Sequence, residues 1–268
     1  MPVLSTPIAS RANPRIKQLR AAFSGNDRLA EGLVAIEGEN LVREALRSGI
    51  ELRTVFVTER FGTPAWLPKR IEILSVSEAV FASAVETRHP QGIAALLHPP
   101  TWSVESLDLR GALLVVAARL QDPGNLGTLI RSAEAFGAAA VLATPGTVSP
   151  WNQKALRASA GSAFRVPVVP VTTAVLKSLQ SKGVRLLAAV AEDGGAGSVR
   201  ADAVDLTGSC AVLIGNEGSG LDADLLDLAE ERISIPMPGN IESLNAAVAG
   251  SLLLYEAARQ RTASKLKQ

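Results

Sequence analysis

The chain has 268 residues, of which 47% are hydrophobic and 20% charged, and its formal net charge at pH 7 is +1. These values are typical of a globular protein with one or two domains, and they exclude disordered and collagen-like chains. No apolar run approaches the ~20 residues of a membrane span, and the first residues lack the apolar core of a signal peptide, so a cytoplasmic protein is expected. The single cysteine, Cys210, cannot form an internal disulfide, and the two histidines lack neighbouring cysteines, so no zinc site is expected.

The N-terminal part alternates between helical and strand-like patterns. Apolar residues at three- and four-residue steps predict a first helix from Asn13, and its outward side is basic. A basic helix face can contact phosphates, although an ordinary solvated surface remains an open alternative. Strands are predicted at 33–36, 54–58, 71–76 and 92–97, with helices at 39–48 and 77–84. The candidate RNA-binding residues in and just before the first helix are Arg11, Arg15, Lys17 and Arg20.

The run His98-Pro99-Pro100-Thr101 interrupts regular structure. It predicts an N-terminal α/β domain over residues 1–100, a linker over 101–110 and a second domain over 111–268. No catalytic constellation is recognisable in the first domain, and His89, which precedes a proline in a predicted loop, is a weak candidate for a ligand role.

The second domain begins with a continuous apolar run at 112–117, which predicts a strand buried on both faces. Alternating strands and helices indicate an α/β fold with a mainly parallel sheet covered by helices on both sides. Ligands bind such sheets at the carboxyl ends of the strands. The further strands are predicted at 139–143, 166–169, 185–190, 210–214 and 233–235, and the helices at 126–136, 152–160, 173–181, 221–230 and from Ser243 onward.

Two loops at those carboxyl ends carry candidate site residues. In the first, Asn125 is predicted to cap a helix, and Arg131 within that helix is predicted to reach back over Gly127 towards the loop. The second loop, GNEGSG at 215–220, carries the carboxylate of Glu217. Its spacing fits neither a dinucleotide fingerprint nor a phosphate loop, because no Gly-Lys-Ser/Thr follows.

The last strand leads through a turn into a long helix predicted to open at Ser243, whose hydroxyl would cap it, with Asn245 just inside. Small residues at 246–250 leave one helix side almost bare and predict close backbone packing, although an alanine-rich core helix is the alternative. Glu192 and Asp193 follow another strand, but a ribose-binding role there lacks the glycine fingerprint that would support it.

Three segments, in this order, resemble the motifs of the SpoU family of RNA 2'-O-ribose methyltransferases in the SPOUT superfamily. They are DPGNLGTLIRSAEAFGA, LIGNEGSGL and IPMPGNIESLNAAVAGSLLLYEAARQ, and NQKALRASAGSAFRVPV between them is also similar to the family. The N-terminal segments NPRIKQLR, VAIEGENLVREAL and HPQGIAALL resemble the family's small RNA-substrate-binding domain. One departure is Ala117-Ala118-Arg119, where relatives often carry an acidic residue.

The resemblance implies S-adenosylmethionine as the methyl donor, a deep trefoil knot in the C-terminal domain and a homodimer formed through that domain. Matched position by position, it implies the catalytic residues Asn125, Arg131, Glu217, Ser243 and Asn245. It implies the cofactor-binding residues Ala189, Val190, Ala191, Gly215, Asn216, Gly218, Ile235, Met237 and Leu244. The loop of the first three, which extends to Glu192, is implied to lie near the adenosyl group. No metal is implied.

The expected reaction is methylation of a ribose 2'-hydroxyl, in 23S ribosomal RNA rather than transfer RNA. The ribosomal target rests on analogy between N-terminal domains. A transfer RNA 2'-O-methyltransferase and a non-catalytic RNA-binding protein are the alternatives. A nucleotide-dependent enzyme of another class lacks its phosphate loop here.

Overall fold

The computed structural model describes residues 6–25, 30–191 and 197–266. The chain forms two compact units, residues 1–101 and 102–268. The segment predicted as a linker contributes to the second unit, because Trp102, Val104, Leu107 and Leu109 pack against its hydrophobic core. No helix among the described residues is long and apolar enough to cross a membrane.

The first unit holds a four-stranded sheet in the order β1-β4-β2-β3. Strands β2 and β3 are parallel, and β4 is antiparallel to both β1 and β2. Helix α1 packs through Ile16, Leu19 and Phe23 into a core shared with this sheet. The elements are α1 (Pro14–Phe23), β1 (Val34–Glu37), α2 (Glu39–Arg47), β2 (Leu52–Thr58), β3 (Glu72–Val76), α3 (Glu78–Ala82) and β4 (Ile93–Leu97).

The second unit is built on a seven-stranded sheet in the order β7-β6-β5-β10-β8-β11-β9, and every pairing in it is parallel. Its strands are β5 (Leu113–Ala117), β6 (Ala140–Ala143), β7 (Val168–Pro170), β8 (Arg185–Val190), β9 (Ser198–Arg200), β10 (Cys210–Ile214) and β11 (Glu231–Ser234). The two central strands, β5 and β10, are buried along their whole length, as expected for strands covered on both faces.

Five helices and two short 3-10 turns complete the described part of this unit. The helices are α4 (Pro123–Ala135), α5 (Gln153–Ser159), α6 (Thr173–Ser181), α7 (Ala223–Leu228) and α8 (Ala246–Lys265), and the 3-10 turns are Val104–Ser106 and Ser162–Phe164. The predicted parallel sheet flanked by helices is therefore confirmed. Strand β9, a short edge strand, was not predicted.

Two helix starts differ from the sequence prediction. Helix α4 begins at Pro123, because the Asp122 side chain accepts a hydrogen bond from the Asn125 amide N–H and caps the first turn. Helix α8 begins at Ala246, because Asn245 is its cap. The predicted capping roles of Asn125 and Ser243 are therefore wrong. In each case a neighbouring residue, three positions earlier or two positions later, occupies the cap.

Candidate active site

Three loops meet at the carboxyl end of the parallel sheet of the second unit. They follow β5, β10 and β11, which the sheet order places near one another. This is the edge at which parallel sheets bind ligands, because the strand ends and the helix starts converge there. The three sequence motifs lie on these loops.

Asn125 joins the first loop to the second. Since Asp122 caps the helix, the Asn125 side chain is left to point outward, and its Nδ2 donates a hydrogen bond of 2.7 Å to Glu217 Oε1. A carboxylate oxygen can only accept, so the amide must present its nitrogen to Glu217. Asn125 therefore turns its carbonyl oxygen in the opposite direction.

Asn245 joins the third loop to the first. Its Oδ1 accepts from the backbone N–H groups of Ala247 at 2.9 Å and Val248 at 3.2 Å, which caps α8. Its Nδ2 is then free to donate to Asn125 Oδ1 at 2.9 Å. From the start of α8 to Glu217, each amide accepts a hydrogen bond through its oxygen and donates one through its nitrogen. Each amide therefore has only one orientation that satisfies both of its partners.

A cavity of about 400 Å³ lies beside this hydrogen-bonded chain. That volume is in the range of small-molecule sites, ~300–1,000 Å³. One wall is apolar, with Ile214, Ile233 and Leu253, and another is the glycine-rich loop after β10. All nine predicted cofactor-binding residues line it: Ala189, Val190, Ala191, Gly215, Asn216, Gly218, Ile235, Met237 and Leu244. The predicted Glu192 end of that loop, and Asp193, lie outside the described residues.

The glycine-rich loop folds tightly upon itself. Asn216 and Gly220 exchange two backbone hydrogen bonds of 2.9 and 3.0 Å. A Cβ atom at Gly215 would collide with the backbone of Gly220 and Leu221, so this position accepts only glycine. The fold holds Glu217 at the rim, where it contacts both the cavity and Asn125.

The five predicted catalytic residues are not all brought together within one chain. Asn125, Glu217 and Asn245 share hydrogen bonds, and Ser243 lines the cavity with Glu217. Arg131 lies exposed on α4, and its side chain makes no hydrogen bond or ion pair within the part of the chain that the structure describes. It is not among the residues that line the cavity.

The sequence predicted that Gly127 would leave a path for the Arg131 side chain, and the structure shows no such path. A Cβ atom at Gly127 would meet the Ala155 carbonyl oxygen, and it would lie 2.7 Å from Ala158 Cβ. The glycine therefore permits close packing of α4 on α5. The space over Gly127 that the sequence reading left open for the Arg131 side chain is therefore occupied by α5.

The basic face of α1 is partly occupied by contacts within its own unit. Arg15 pairs with Glu72, with Nη2 2.7 Å from Oε1, and Arg20 Nε donates to the Ser83 carbonyl at 3.2 Å. The side chains of Arg11 and Lys17 are exposed and make no hydrogen bond or ion pair with other described residues. Half of the predicted RNA-binding set is therefore free to contact a ligand.

Asp122 is a residue that the sequence reading missed, although an Asp-Pro pair at a helix start was a usable signal. Lys154 Nζ lies 2.7 Å from its Oδ2, and this hydrogen bond, followed by that from the Asn125 N–H, lowers the pKa of Asp122. The pair ties the start of α4 to the start of α5. No group of three or more His, Cys, Asp or Glu side chains in the described ranges could hold a metal ion.

Comparison with known proteins identifies the family. Residues 112–255 match the model of the SpoU rRNA Methylase family. The chain belongs to this family. Residues 13–95 match a second model, the MRM3-like substrate binding domain. The resemblance drawn from the three motifs is confirmed, and with it the methyltransferase class.

Individual relatives extend over nearly the whole chain. The 23S rRNA (guanosine(2553)-2'-O)-methyltransferase RlmP of Bacillus subtilis (strain 168) is 35% identical over 249 residues, which are 92% of this chain and 97% of that protein. A crystal structure described as an RNA 2'-O ribose methyltransferase is 34% identical with a TM-score of 0.80, over 96% of this chain and 100% of that one.

A third relative carries a cofactor. The SpoU methyltransferase AviRb from Streptomyces viridochromogenes, crystallised with AdoMet, is 28% identical with a TM-score of 0.82, over 93% of this chain and 98% of that one. AdoMet is S-adenosylmethionine, the cofactor that the motifs predicted for the family. The predicted cofactor is thus the one found in this relative.

Proposed function

We propose that this protein transfers the methyl group of S-adenosylmethionine to a ribose 2'-hydroxyl of 23S ribosomal RNA. The observation that carries the proposal is the hydrogen-bonded chain Glu217–Asn125–Asn245 beside the cavity. It unites residues from all three motifs. The ribosomal target is taken from the name of the Bacillus subtilis relative.

The cavity is the proposed cofactor site, and its lining fits the chemistry of S-adenosylmethionine. Apolar side chains such as Ile214 and Leu253 suit the flat adenine ring, while the main chain of the loops at 189–191 and 215–220 offers donors and acceptors to the ribose. The cofactor supplies an electrophilic methyl group. The residues of the chain supply position, since an in-line displacement depends on alignment of the reacting atoms.

Acceptor positioning falls to the polar residues at the rim. Ser243 and the amides of Asn125 and Asn245 would hold the nucleotide, and Glu217 fixes the orientation of the amides. Arg131 would approach the 2'-oxygen and stabilise the negative charge that develops there as the hydroxyl proton passes to an RNA phosphate. A guanidinium stays protonated and is a poor base, so we assign Arg131 the polarisation and positioning of the 2'-oxygen.

We also propose a homodimer formed through the second unit, with the trefoil knot of the family and a cytoplasmic location. Helix α8 presents Val248, Leu252 and Tyr255, which are 45%, 43% and 53% exposed, at the four- and three-residue steps of one helix face. Tyr255 packs edge-on against Phe136, with ring centroids 5.7 Å apart, so the apolar face continues towards α4. A twofold interface there would bury the same patch on both copies.

This dimer explains the position of Arg131, which lies outside the cavity of its own chain. If the cavity adjoins a twofold interface, a residue at the edge of that interface on one copy can reach the cavity of the other. We therefore propose that Arg131 serves the cavity of the partner. The site is then complete only in the dimer.

Mixed dimers test this arrangement. Arg131→Ala and Glu217→Ala are each expected to lose activity as homodimers. If Arg131 acts across the interface, dimers formed by unfolding and refolding the two variants together contain one complete site and regain turnover. If Arg131 acts within its own chain, every site lacks one group and the mixture stays inactive, which would overturn the proposal.

Methyl transfer from tritiated S-adenosylmethionine tests the overall function. We expect label in 23S ribosomal RNA, and mapping of methylated riboses in RNA from a deletion strain would identify the nucleotide. Label in transfer RNA alone would favour the transfer RNA enzyme, and cofactor-independent RNA binding without transfer would favour the non-catalytic alternative. Glu217→Gln, which removes the acceptor charge at nearly constant size, is the matched inactive control.

The first unit is the proposed substrate-binding domain, in line with the family model that it matches. Among the four candidate cations, Arg11 and Lys17 have side chains without a partner among the described residues, whereas Arg15 and Arg20 also support the fold. Charge removal at Arg11 and Lys17 should weaken RNA binding and reduce its salt dependence. Cofactor binding should not change.

A further inference from the structure

Arg119 stands at the departure from the family pattern after β5, and its backbone is unusual. It has a φ of +56°, in the left-handed region that side chains other than glycine rarely adopt. Glu31 and Ala160 are the other non-glycine residues with positive φ in the described ranges. A glycine at 119 would make the same turn without steric conflict, so a specific contact of arginine is expected to compensate.

The backbone of Arg119 holds the near end of the glycine-rich loop. Its N–H donates to Thr144 Oγ1 at 3.0 Å, and its carbonyl accepts from Asn216 Nδ2 at 2.9 Å. The Asn216 Oδ1 in turn accepts from the backbone N–H groups of Gly218 at 2.9 Å and Ser219 at 3.2 Å. The left-handed turn therefore directs the Arg119 carbonyl towards Asn216, whose side chain holds the loop that contains Glu217.

The side chain of Arg119 holds the far end of the same loop. Its Nη1 lies 3.0 and 3.1 Å from the two carboxylate oxygens of Asp222, the residue that precedes α7. The stem of Arg119 passes over Gly146, where a Cβ atom would lie 3.5 Å from Arg119 Cγ. Asp222 makes no side-chain cap to its own helix, and its carboxylate is directed to Arg119.

We infer that Arg119 is a positioning residue that binds both ends of the cofactor loop. Its carbonyl binds Asn216, and its guanidinium binds Asp222. These two contacts hold Glu217 and Gly218 in the geometry that lines the cavity. The Arg119 and Asp222 side chains are 50% and 44% exposed, so their ion pair alone adds little to stability. Its effect lies in the geometry of the loop. This inference rests on the proposed cofactor site.

Arg119→Gly separates an effect on stability from an effect on loop geometry. It relieves the strain of the left-handed backbone, and it removes the guanidinium that binds Asp222. We expect an unchanged or higher melting temperature without ligand, together with a dissociation constant for S-adenosylmethionine raised about tenfold. The KM for the cofactor should rise with it, while kcat at saturation changes little. A purely structural ion pair would lower melting temperature and leave affinity unchanged.

Ala160→Gly is the matched control, since Ala160 has a φ of +50° at the end of α5 and is not among the residues that line the cavity. It should raise the melting temperature without changing cofactor affinity. Asp222→Asn should reproduce part of the affinity loss of Arg119→Gly, and the double variant should add little to it, because both remove the same contact.

Titration calorimetry with S-adenosylmethionine separates the possible outcomes. If the wild-type protein binds no S-adenosylmethionine, the proposed function fails. If the wild type binds and Arg119→Gly binds equally well, only the inference on Arg119 is overturned. An equal loss of affinity in Ala160→Gly would also overturn the inference on Arg119. The loss would then follow from replacing a left-handed residue by glycine, and not from removing the guanidinium.

Discussion

The two ends of α8 differ in their hydrogen bonds: at its start side chains bind one another beside a cavity, and near its end side chains bind backbone groups. At its start, Asn245 links exposed groups around an open cavity. Near its end, Gln260 bonds both the Val204 carbonyl and the Leu206 N–H, and Arg261 donates to the carbonyls of Leu206, Gly208 and Gly111. The first set leaves room for a ligand, whereas the second closes the amino ends of β5 and β10.

The difference shows how one helix can serve binding and stability separately. The closed end satisfies backbone groups with partners from the same chain, so loss of a partner there should appear as lost stability. The open end uses side chains that orient one another, so loss of a partner there should appear as lost activity. Substitutions at the two ends can therefore be compared directly.

The largest expected effect is at the open end, in Asn245→Asp. A carboxylate still accepts from the N–H groups of Ala247 and Val248, so the helix cap and the melting temperature should be retained. It cannot donate to Asn125, whose amide must then turn its oxygen towards Glu217. We expect turnover to fall about 10²-fold, as for loss of one catalytic hydrogen-bond donor.

Steady-state methyl transfer and a thermal melt measure the two properties of Asn245→Asp. Asn245→Ala serves as the control that loses both the cap and the donor. Wild-type turnover in Asn245→Asp would show that the amide chain has no catalytic role.

At the closed end, Arg261→Ala should lower the free energy of unfolding by about 1–3 kcal/mol, because it leaves carbonyl groups without their partner. The dissociation constant for S-adenosylmethionine should stay at its wild-type value. Urea unfolding and calorimetry test both statements. A clear loss of affinity with little loss of stability would reverse the proposed division between the ends.

Between the two ends, Ala247→Leu tests the close packing of α8. Ala247 is 2% exposed, and one turn along a Cβ at Gly250 would lie 2.5 Å from Leu129 Cδ1. The added side chain should destabilise the fold by about 1–3 kcal/mol or weaken the dimer. Sedimentation and thermal melts give the two readouts, and a stable dimer with wild-type melting would contradict the close packing.

The smallest expected effect concerns Asp122→Asn beside the open end. Asparagine can still cap α4, but it loses the ion pair with Lys154. In that pair the Asp122 side chain is 42% exposed and the Lys154 side chain 58% exposed. The loss should be less than about 1 kcal/mol because solvent screens the pair.

The pH dependence of this loss has a definite sign. The pKa of Asp122 is lowered from 3.8 in the folded protein, chiefly by Lys154, so its stabilisation is present above that value. It disappears as pH falls through the folded pKa. Urea unfolding of wild type and variant should differ at neutral pH and converge at acidic pH, once the folded-state pKa of Asp122 has been passed. A difference that persists at low pH would point to the cap rather than the charge.

Strands were the most predictable elements. The bounds of Arg185–Val190 and Cys210–Ile214 follow from continuous apolar runs, which a strand buried on both faces requires. Helix starts were less predictable, because Ser243 and Asn245 are both good caps and only tertiary contacts select one. The edge strand Ser198–Arg200 has no apolar run to reveal it.

The residues around the site were named from motifs, but their contacts required the structure. The Asp-Pro pair could have indicated that Asp122 is the cap, but the contact of Asn125 with Glu217 required the structure. The solvent-facing position of Arg131 depends on where α5 packs, which local pattern does not specify. The left-handed backbone of Arg119 was also hidden, because arginine is not a residue that favours it.

The place of β10 in the sheet has a consequence for the order of folding. It lies between β5 and β8, both earlier in the chain, and it alone joins the β5–β6–β7 half to the β8–β11–β9 half. Such long-range pairing forms late, because a large loop must close before any contact compensates for the lost chain entropy. During synthesis, neither half can complete the cavity until residues 210–253 have emerged from the ribosome. We therefore expect nascent chains that end before β10 to bind no cofactor, and cofactor binding to mark the last stage of maturation.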